Sequence, residues 1–199
     1  HLENNLIDEI SKSAHPALKV PLPKKLKLEK FEKIKHYSDA DLIVCAVSSL
    51  GVDWFIDQIS QMKDKRLNIV LLTKGLSIEG GKLITISYKI KNELKKNGFN
   101  DVVVSAIKGP CLAAGLANKM RTGTVIASEN KDTAKLIQKI ITTEYYSTET
   151  SEDVKGVELC GAIKNIYSML IGASEGLSNP SASESIKSKY FLNTSASLI

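Results

Sequence analysis

Between Asp41 and Thr148, short apolar runs alternate with amphipathic segments, and this rhythm restricts the possible folds more than any other feature of the chain. "DLIVCAV" (41–47), "NIVLLT" (68–73), "DVVVSAI" (101–107) and "TGTVIAS" (122–128) have strand length, many β-branched residues and little polar alternation. Strands of that kind are buried on both faces, so the sheet needs helices on both sides. The intervening segments supply them. "GVDWFIDQISQMKDK" places Val52, Phe55, Ile56, Ile59 and Met62 at helical spacing. "KLITISYKIKNELKKNG" (82–98) reads as a helix stopped by Gly98, "CLAAGLANKM" (111–120) as a short helix and "KDTAKLIQKIIT" (131–142) as an amphipathic one. "EYYST" (144–148) reads as a short edge strand. Strand and helix in turn predict a doubly wound α/β sheet.

From Ser151 the pattern becomes one long helical segment reaching about Ser174. The expected domains are therefore residues 1–150, an α/β sheet, and 151–199, the start of an all-helical domain. With 199 residues, 43% of them hydrophobic, the chain can bury a core without covalent staples. The cysteines (45, 111 and 160) are odd in number and lie among apolar or small neighbours. That predicts reduced thiols of a cytoplasmic protein, with neither a disulfide framework nor a metal site. No apolar run nears the roughly 18 residues that span a bilayer, so no stable membrane insertion is expected. The opening "HLENNLIDEI" lacks both a signal-peptide order and an initiator Met, an unusual start for a native chain that suggests a fragment.

The formal net charge of +5 is concentrated between Lys19 and Lys35, where seven lysines stand against Glu29 and Glu32. Such a segment is either an anion-binding surface or a solvated connection. Few aromatic residues interleave with the lysines, so no nucleic-acid partner is expected.

Three places can carry chemistry. Lys164 is the only formal charge between Leu159 and Ser174. A buried ammonium without a partner is costly, and a lowered pKa makes a lysine a general acid/base near neutral pH. Cys160, Gly161 and Ser168, its helical neighbours, are small and leave space beside the amine. The alternative is a lysine snorkelling to water from a half-buried helix. Lys74 follows the strand 68–73, at the end where ligands of open α/β sheets collect; it could equally be an exposed turn lysine. "IKGPCLAAGLANK" runs from a strand end through Gly109-Pro110 into a helix whose free amides could meet an anion. A Rossmann sheet normally opens with a strand, G-x-G-x-x-G and a helix, and no such motif occurs here. In a Rossmann-like sheet, that first βα unit would lie upstream of His1; the alternative is an intact domain with no nucleotide site.

"LLTKGL", "KGPCLAAGLA" and "GVELCGAIKN", in that order, closely resemble the cytosolic NAD(P)-dependent glycerol-3-phosphate dehydrogenases. That family carries a strand with K-G-L/V, a G-P-S-F-A-type turn and G-V-E-L-G/C-G-A-L-K-N-V. "HPALKVPLPKKLKL", "DADLIVCAVSS" and "NTSASLI" (193–199) also resemble family segments, so the likeness covers nearly the whole chain. It implies that Lys164 is the catalytic lysine serving the substrate C2 oxygen, and that Lys74 contacts substrate and cofactor. It further implies that Gly109 and Cys111 touch the substrate, Ala113 the cofactor, and Asn165 the substrate. The cofactor would be NAD or NADP, and the substrate pair glycerol 3-phosphate and dihydroxyacetone phosphate. The assembly would be a homodimer serving glycerophospholipid synthesis or glycerol metabolism.

Several residues depart from the family pattern: Ser48 for proline, Cys111 for serine, Gly115 for glutamate, Ser195 for lysine or alanine, and a longer segment between Leu177 and Asn193. These departures, with the missing glycine motif, keep a non-catalytic paralogue as the alternative. A related β-hydroxyacid or sugar-nucleotide dehydrogenase is the other.

Overall fold

The computed structural model describes residues 40–62 and 66–178, with residues 10, 15, 18–23 and 25–28 upstream. Residues 24 and 29–35 of the basic segment 19–35, and all of 193–199, lie outside the described residues.

The chain runs β1 (Ile43–Cys45), a 3-10 turn (Ser49–Gly51), α1 (Val52–Ser60), β2 (Arg66–Leu71), β3 (Leu76–Glu79), β4 (Lys82–Thr85) and α2 (Ile86–Lys96). It continues through β5 (Asp101–Lys108), α3 (Ala113–Ala117), β6 (Thr122–Ala127), α4 (Lys131–Ile141), β7 (Tyr146–Ser151) and α5 (Val154–Ser178). Among the described residues five strands form one sheet in the order β1-β2-β5-β6-β7. β1, β2 and β5 are parallel, with Ile43 opposite Ile69 and Ile69 opposite Val104. Helices α1 and α2 are the crossovers that parallel pairing requires.

Alternate residues of the central strands serve opposite faces. Ile69 and Leu71 pack with Phe55 and Ile59 of α1, Ile90 and Leu94 of α2, and Val154 of α5. Val70 and Ile107 pack with Ile126 and with Ala134 and Ile137 of α4. Both faces are therefore covered, as the apolar runs predicted. Each fully buried Ile or Leu contributes about 1.5–3 kcal/mol of burial.

Two features differ from the expectations. Residues 82–85, read as the first turn of a helix, pair instead with 76–79 as an antiparallel hairpin. Gly80 and Gly81 both hold positive φ (56° and 76°), the backbone of a two-residue turn matched to strand twist. The helix begins only at Ile86, where the Thr85 side chain accepts from the Tyr88 amide at 3.4 Å. The second difference is that β6 runs antiparallel to β5, so the sheet is mixed. The helix between them, read over 111–120, spans only Ala113–Ala117. Five helical residues rise roughly 8 Å, too little to carry the chain back along an eight-residue strand.

α5 packs against β5 and α2. Val154, Glu158, Gly161, Lys164 and Ser168 form its buried stripe. On its other faces Ile166, Tyr167, Met169 and Leu170 are 47–71% exposed among the described residues. Among those residues no helix is long and apolar enough to cross a membrane, and no cluster of His, Cys, Asp or Glu could hold a metal ion.

Candidate active site

The carboxyl ends of β1, β2 and β5 meet the amino ends of β6 and β7 along one edge, and α5 crosses above it. Thr73 anchors the turn after β2: its hydroxyl donates to the Val47 carbonyl at 2.7 Å, and the adjacent Leu72 amide donates to the Cys45 carbonyl at 2.9 Å. Lys74 follows, exposed, and Gly75 then turns the chain at φ 117°, which a residue with a Cβ adopts only with strain.

Lys164 lies on the buried stripe of α5 and is only 8% exposed. Burial lowers its pKa, and the nearby Lys74 ammonium lowers it further. Among the described residues no carboxylate forms a salt bridge with it. Two lysines far apart in sequence thus share one field, and burial first, with that field second, holds the Lys164 amine closer to its neutral form than an ordinary lysine.

Two further charged groups belong to this edge, and the sequence reading passed over both. Lys108, the last residue of β5, is 3% exposed, and its ammonium donates to the Thr73 carbonyl at 2.5 Å. Burial pulls its pKa down to about 8; Glu158 opposes that shift, and Lys74 reinforces it. Glu158 is 1% exposed and accepts from the Ser87 amide at 3.3 Å and from the Ser87 hydroxyl. Burial raises its pKa, while the bonds from Ser87 and the charge of Lys108 hold that rise back. In the sequence, Lys108 directly follows the mostly apolar run Val102–Ile107. Glu158 lies three residues before Gly161 and six before Lys164, on the same helical stripe.

The remaining candidates divide. Cys111 is half-buried beside Thr122 and within the field of Lys74; burial raises its pKa against both influences. Gly109 is buried, and a Cβ there would lie 2.7 Å from the Gly123 carbonyl and 2.9 Å from Thr124 Cα. Close passage of β6 is therefore enough to demand this glycine. Ala113 is exposed at the start of α3, whose five residues and uncapped N-terminus make a poor anion site. Asn165 follows Lys164 on the helix, and its side chain lies outside the described residues. The space read beside Lys164 is also partly filled. Cys160 is exposed, and the stem of Lys108 occupies the room next to Gly161.

A parallel-rich sheet covered on both faces, with titratable groups gathered at its carboxyl edge, defines a Rossmann-type α/β protein. The family model described as NAD-dependent glycerol-3-phosphate dehydrogenase N-terminus matches residues 2–134, and the chain belongs to that family. It is 32% identical over 156 residues to a glycerol-3-phosphate dehydrogenase [NAD(P)+] of Leptospira biflexa, covering 78% of this chain and 45% of that protein. It is 35% identical over 138 residues to a chloroplastic NAD(+) glycerol-3-phosphate dehydrogenase of Oryza sativa, covering 69% of this chain and 30% of that one. A Plasmodium falciparum glycerol-3-phosphate dehydrogenase structure superposes with a TM-score of 0.76 at 24% identity, over 96% of this chain and 52% of that one. The chain spans about half the length, or less, of such relatives.

Proposed function

We propose that the protein interconverts sn-glycerol 3-phosphate and dihydroxyacetone phosphate with NAD or NADP, and that Lys164 is its catalytic acid/base. The observation that carries this reading is the buried Lys164, its pKa lowered, facing the field of Lys74 at the carboxyl edge of the sheet. Residues 1–150 would be the dinucleotide-binding part and 151–199 the start of the substrate domain. The residues present suit the nicotinamide end of the cofactor. Leu50, after β1, and Leu72, after β2 and two residues before Lys74, are 93% and 41% exposed and offer apolar surface at strand ends, which flat rings favour. When bound, the cofactor supplies or accepts the hydride at C2.

The protein's own share is positioning and proton transfer. In the reducing direction the Lys164 ammonium donates a hydrogen bond to the C2 carbonyl oxygen, stabilises the developing alkoxide and passes it a proton. In the reverse direction the neutral amine accepts that proton, and the lowered pKa keeps this form within reach. Lys74 holds an oxyanion of the substrate and the edge of the cofactor. Cys111 and Asn165 would complete the substrate contacts, and Ala113 the cofactor contact. Gly109 lets β6 close behind them. The cytoplasm, a homodimeric assembly and a role in glycerophospholipid or glycerol metabolism complete this reading.

Full-length protein assayed for NADH or NADPH oxidation with dihydroxyacetone phosphate tests the proposal. Lys164→Met, similar in length and uncharged, should lose about 10²–10⁴ or more in turnover while melting like the wild type. A variant that keeps a tenth of the wild-type rate would end the catalytic assignment. A wild type without activity on this pair would favour a non-catalytic paralogue.

A further inference from the structure

Lys108 is the most constrained cation at the site edge, and the reaction outlined above assigns it nothing. Its ammonium is bonded to the carbonyl of Thr73, the residue immediately before Lys74. Its own carbonyl accepts from the Thr124 hydroxyl at 2.8 Å, which fixes the end of β5 against β6. Its aliphatic stem runs beneath α5, where a Cβ on Gly161 would come within 3.1 Å of Cδ and 3.2 Å of Cγ. Gly161 is one turn before Lys164. One side chain therefore touches the turn that carries Lys74 and the helical turn that precedes Lys164.

We infer that Lys108 is a positioning residue: tied to the Thr73 carbonyl and packed beneath Gly161, it sets the spacing of Lys74 and Lys164 across which an oxyanion-bearing substrate is held. An apolar side chain of equal length would fill the space under Gly161 but would leave the Thr73 carbonyl without this donor. A shorter polar one such as glutamine would still lie under Gly161 but would not reach the Thr73 carbonyl. The groups facing its ammonium are Cys45 from β1, Lys74 from the turn after β2 and Glu158 from α5. Glu158 balances the buried charge, while repulsion from Lys108 disfavours any inward collapse of the Lys74 ammonium. A loosened Thr73–Lys74 peptide would let Lys74 drift, and small misplacements at a reacting centre are expensive in rate.

The inference rests on the proposed reaction, and a double-mutant cycle separates the two. Steady-state constants for dihydroxyacetone phosphate are measured on full-length wild type, Lys108→Met, Lys74→Ala and the double variant. Methionine keeps the stem volume and removes the donor. Lys108→Met should lower kcat/KM about tenfold in the wild-type background, and hardly at all once Lys74 is gone. Full additivity, or wild-type constants for Lys108→Met, would overturn the inference and leave the Lys164 assignment standing. If the Met variant does not fold, Lys108→Arg carries the same cycle: it keeps a charge and a donor but misplaces both. The second readout does not depend on activity. In reductively ¹³C-methylated protein, Lys108→Met should displace the Lys74 resonance, and an unmoved resonance would overturn the inference even if no turnover is found.

Discussion

Ser87 and Glu158, 71 residues apart in the chain, meet in the interior, where the first turn of α2 donates both an amide and a hydroxyl to the Glu158 carboxylate. The contact joins the helix that follows the hairpin to the helix that carries Lys164. It also places a negative end group at a helix N-terminus, where the macrodipole favours it. A carboxylate so deeply buried is tolerable because Ser87 supplies the hydrogen bonds and Lys108 the counter-charge.

For Glu158 the pH dependence has a defined sign. Its folded pKa is raised from the ordinary value of 4.5, chiefly by burial. The native state therefore holds this proton to higher pH than the unfolded chain, and the group's contribution falls as pH rises through the folded pKa. Glu158→Gln, which imitates the protonated form, should gain on the wild type as pH rises above about 4.5. Urea denaturation from pH 4 to 8 checks it, and parallel stability curves would contradict it. Glu158→Ala, which leaves the Ser87 donors without an acceptor, should cost about 1–3 kcal/mol.

Lys108 acts at the other end of the scale. Its pKa drops from 10.5 to about 8 on folding, mainly through burial. The unfolded chain then binds more protons between these values, so stability should rise with pH across that window. The full effect is about 3 kcal/mol. The rise should vanish in Lys108→Met; a rise of equal size in both proteins would assign it to other groups.

Lys74 is exposed, so its loss should leave the fold unaffected. A charge-assisted contact is worth roughly 1.5–3 kcal/mol. Lys74→Ala should therefore lose about ten- to a hundredfold in kcat/KM, mostly through KM. Comparing dihydroxyacetone phosphate with dihydroxyacetone locates the contact, because the loss should be larger for the phosphorylated substrate. Unchanged constants for both would make Lys74 a turn residue only.

Gly109→Ala is predicted to be a stability variant before it is an activity variant. The added methyl would meet backbone of β6, at Gly123 and Thr124, rather than a movable side chain. The expected cost is about 1–3 kcal/mol, the range for overpacking a close contact. Thermal denaturation measures it, and a melting curve like that of the wild type would show that β6 can move aside.

The sequence alone determined the elements whose signals are local. Short apolar runs located four of the sheet strands and period-3.6 patterns the amphipathic helices, because each face of an element must find apolar cover. Edge strand β7 was read over 144–148 but runs from Tyr146 to Ser151. A lone lysine in an apolar helix was legible as an anomaly because burying an ammonium is costly. Strand direction was not legible: β6 turns back against β5 because α3 is too short to do otherwise, and neither strand records that in its own residues. The hairpin at Gly80-Gly81 was hidden behind a β-rich segment that also fits the start of a helix. Only the tertiary structure decided the burial and partners of Lys108 and Glu158. Their significance lies in partners 35 and 71 residues away, Thr73 and Ser87, and in a low-dielectric interior that exists only once sheet and helix have closed over them.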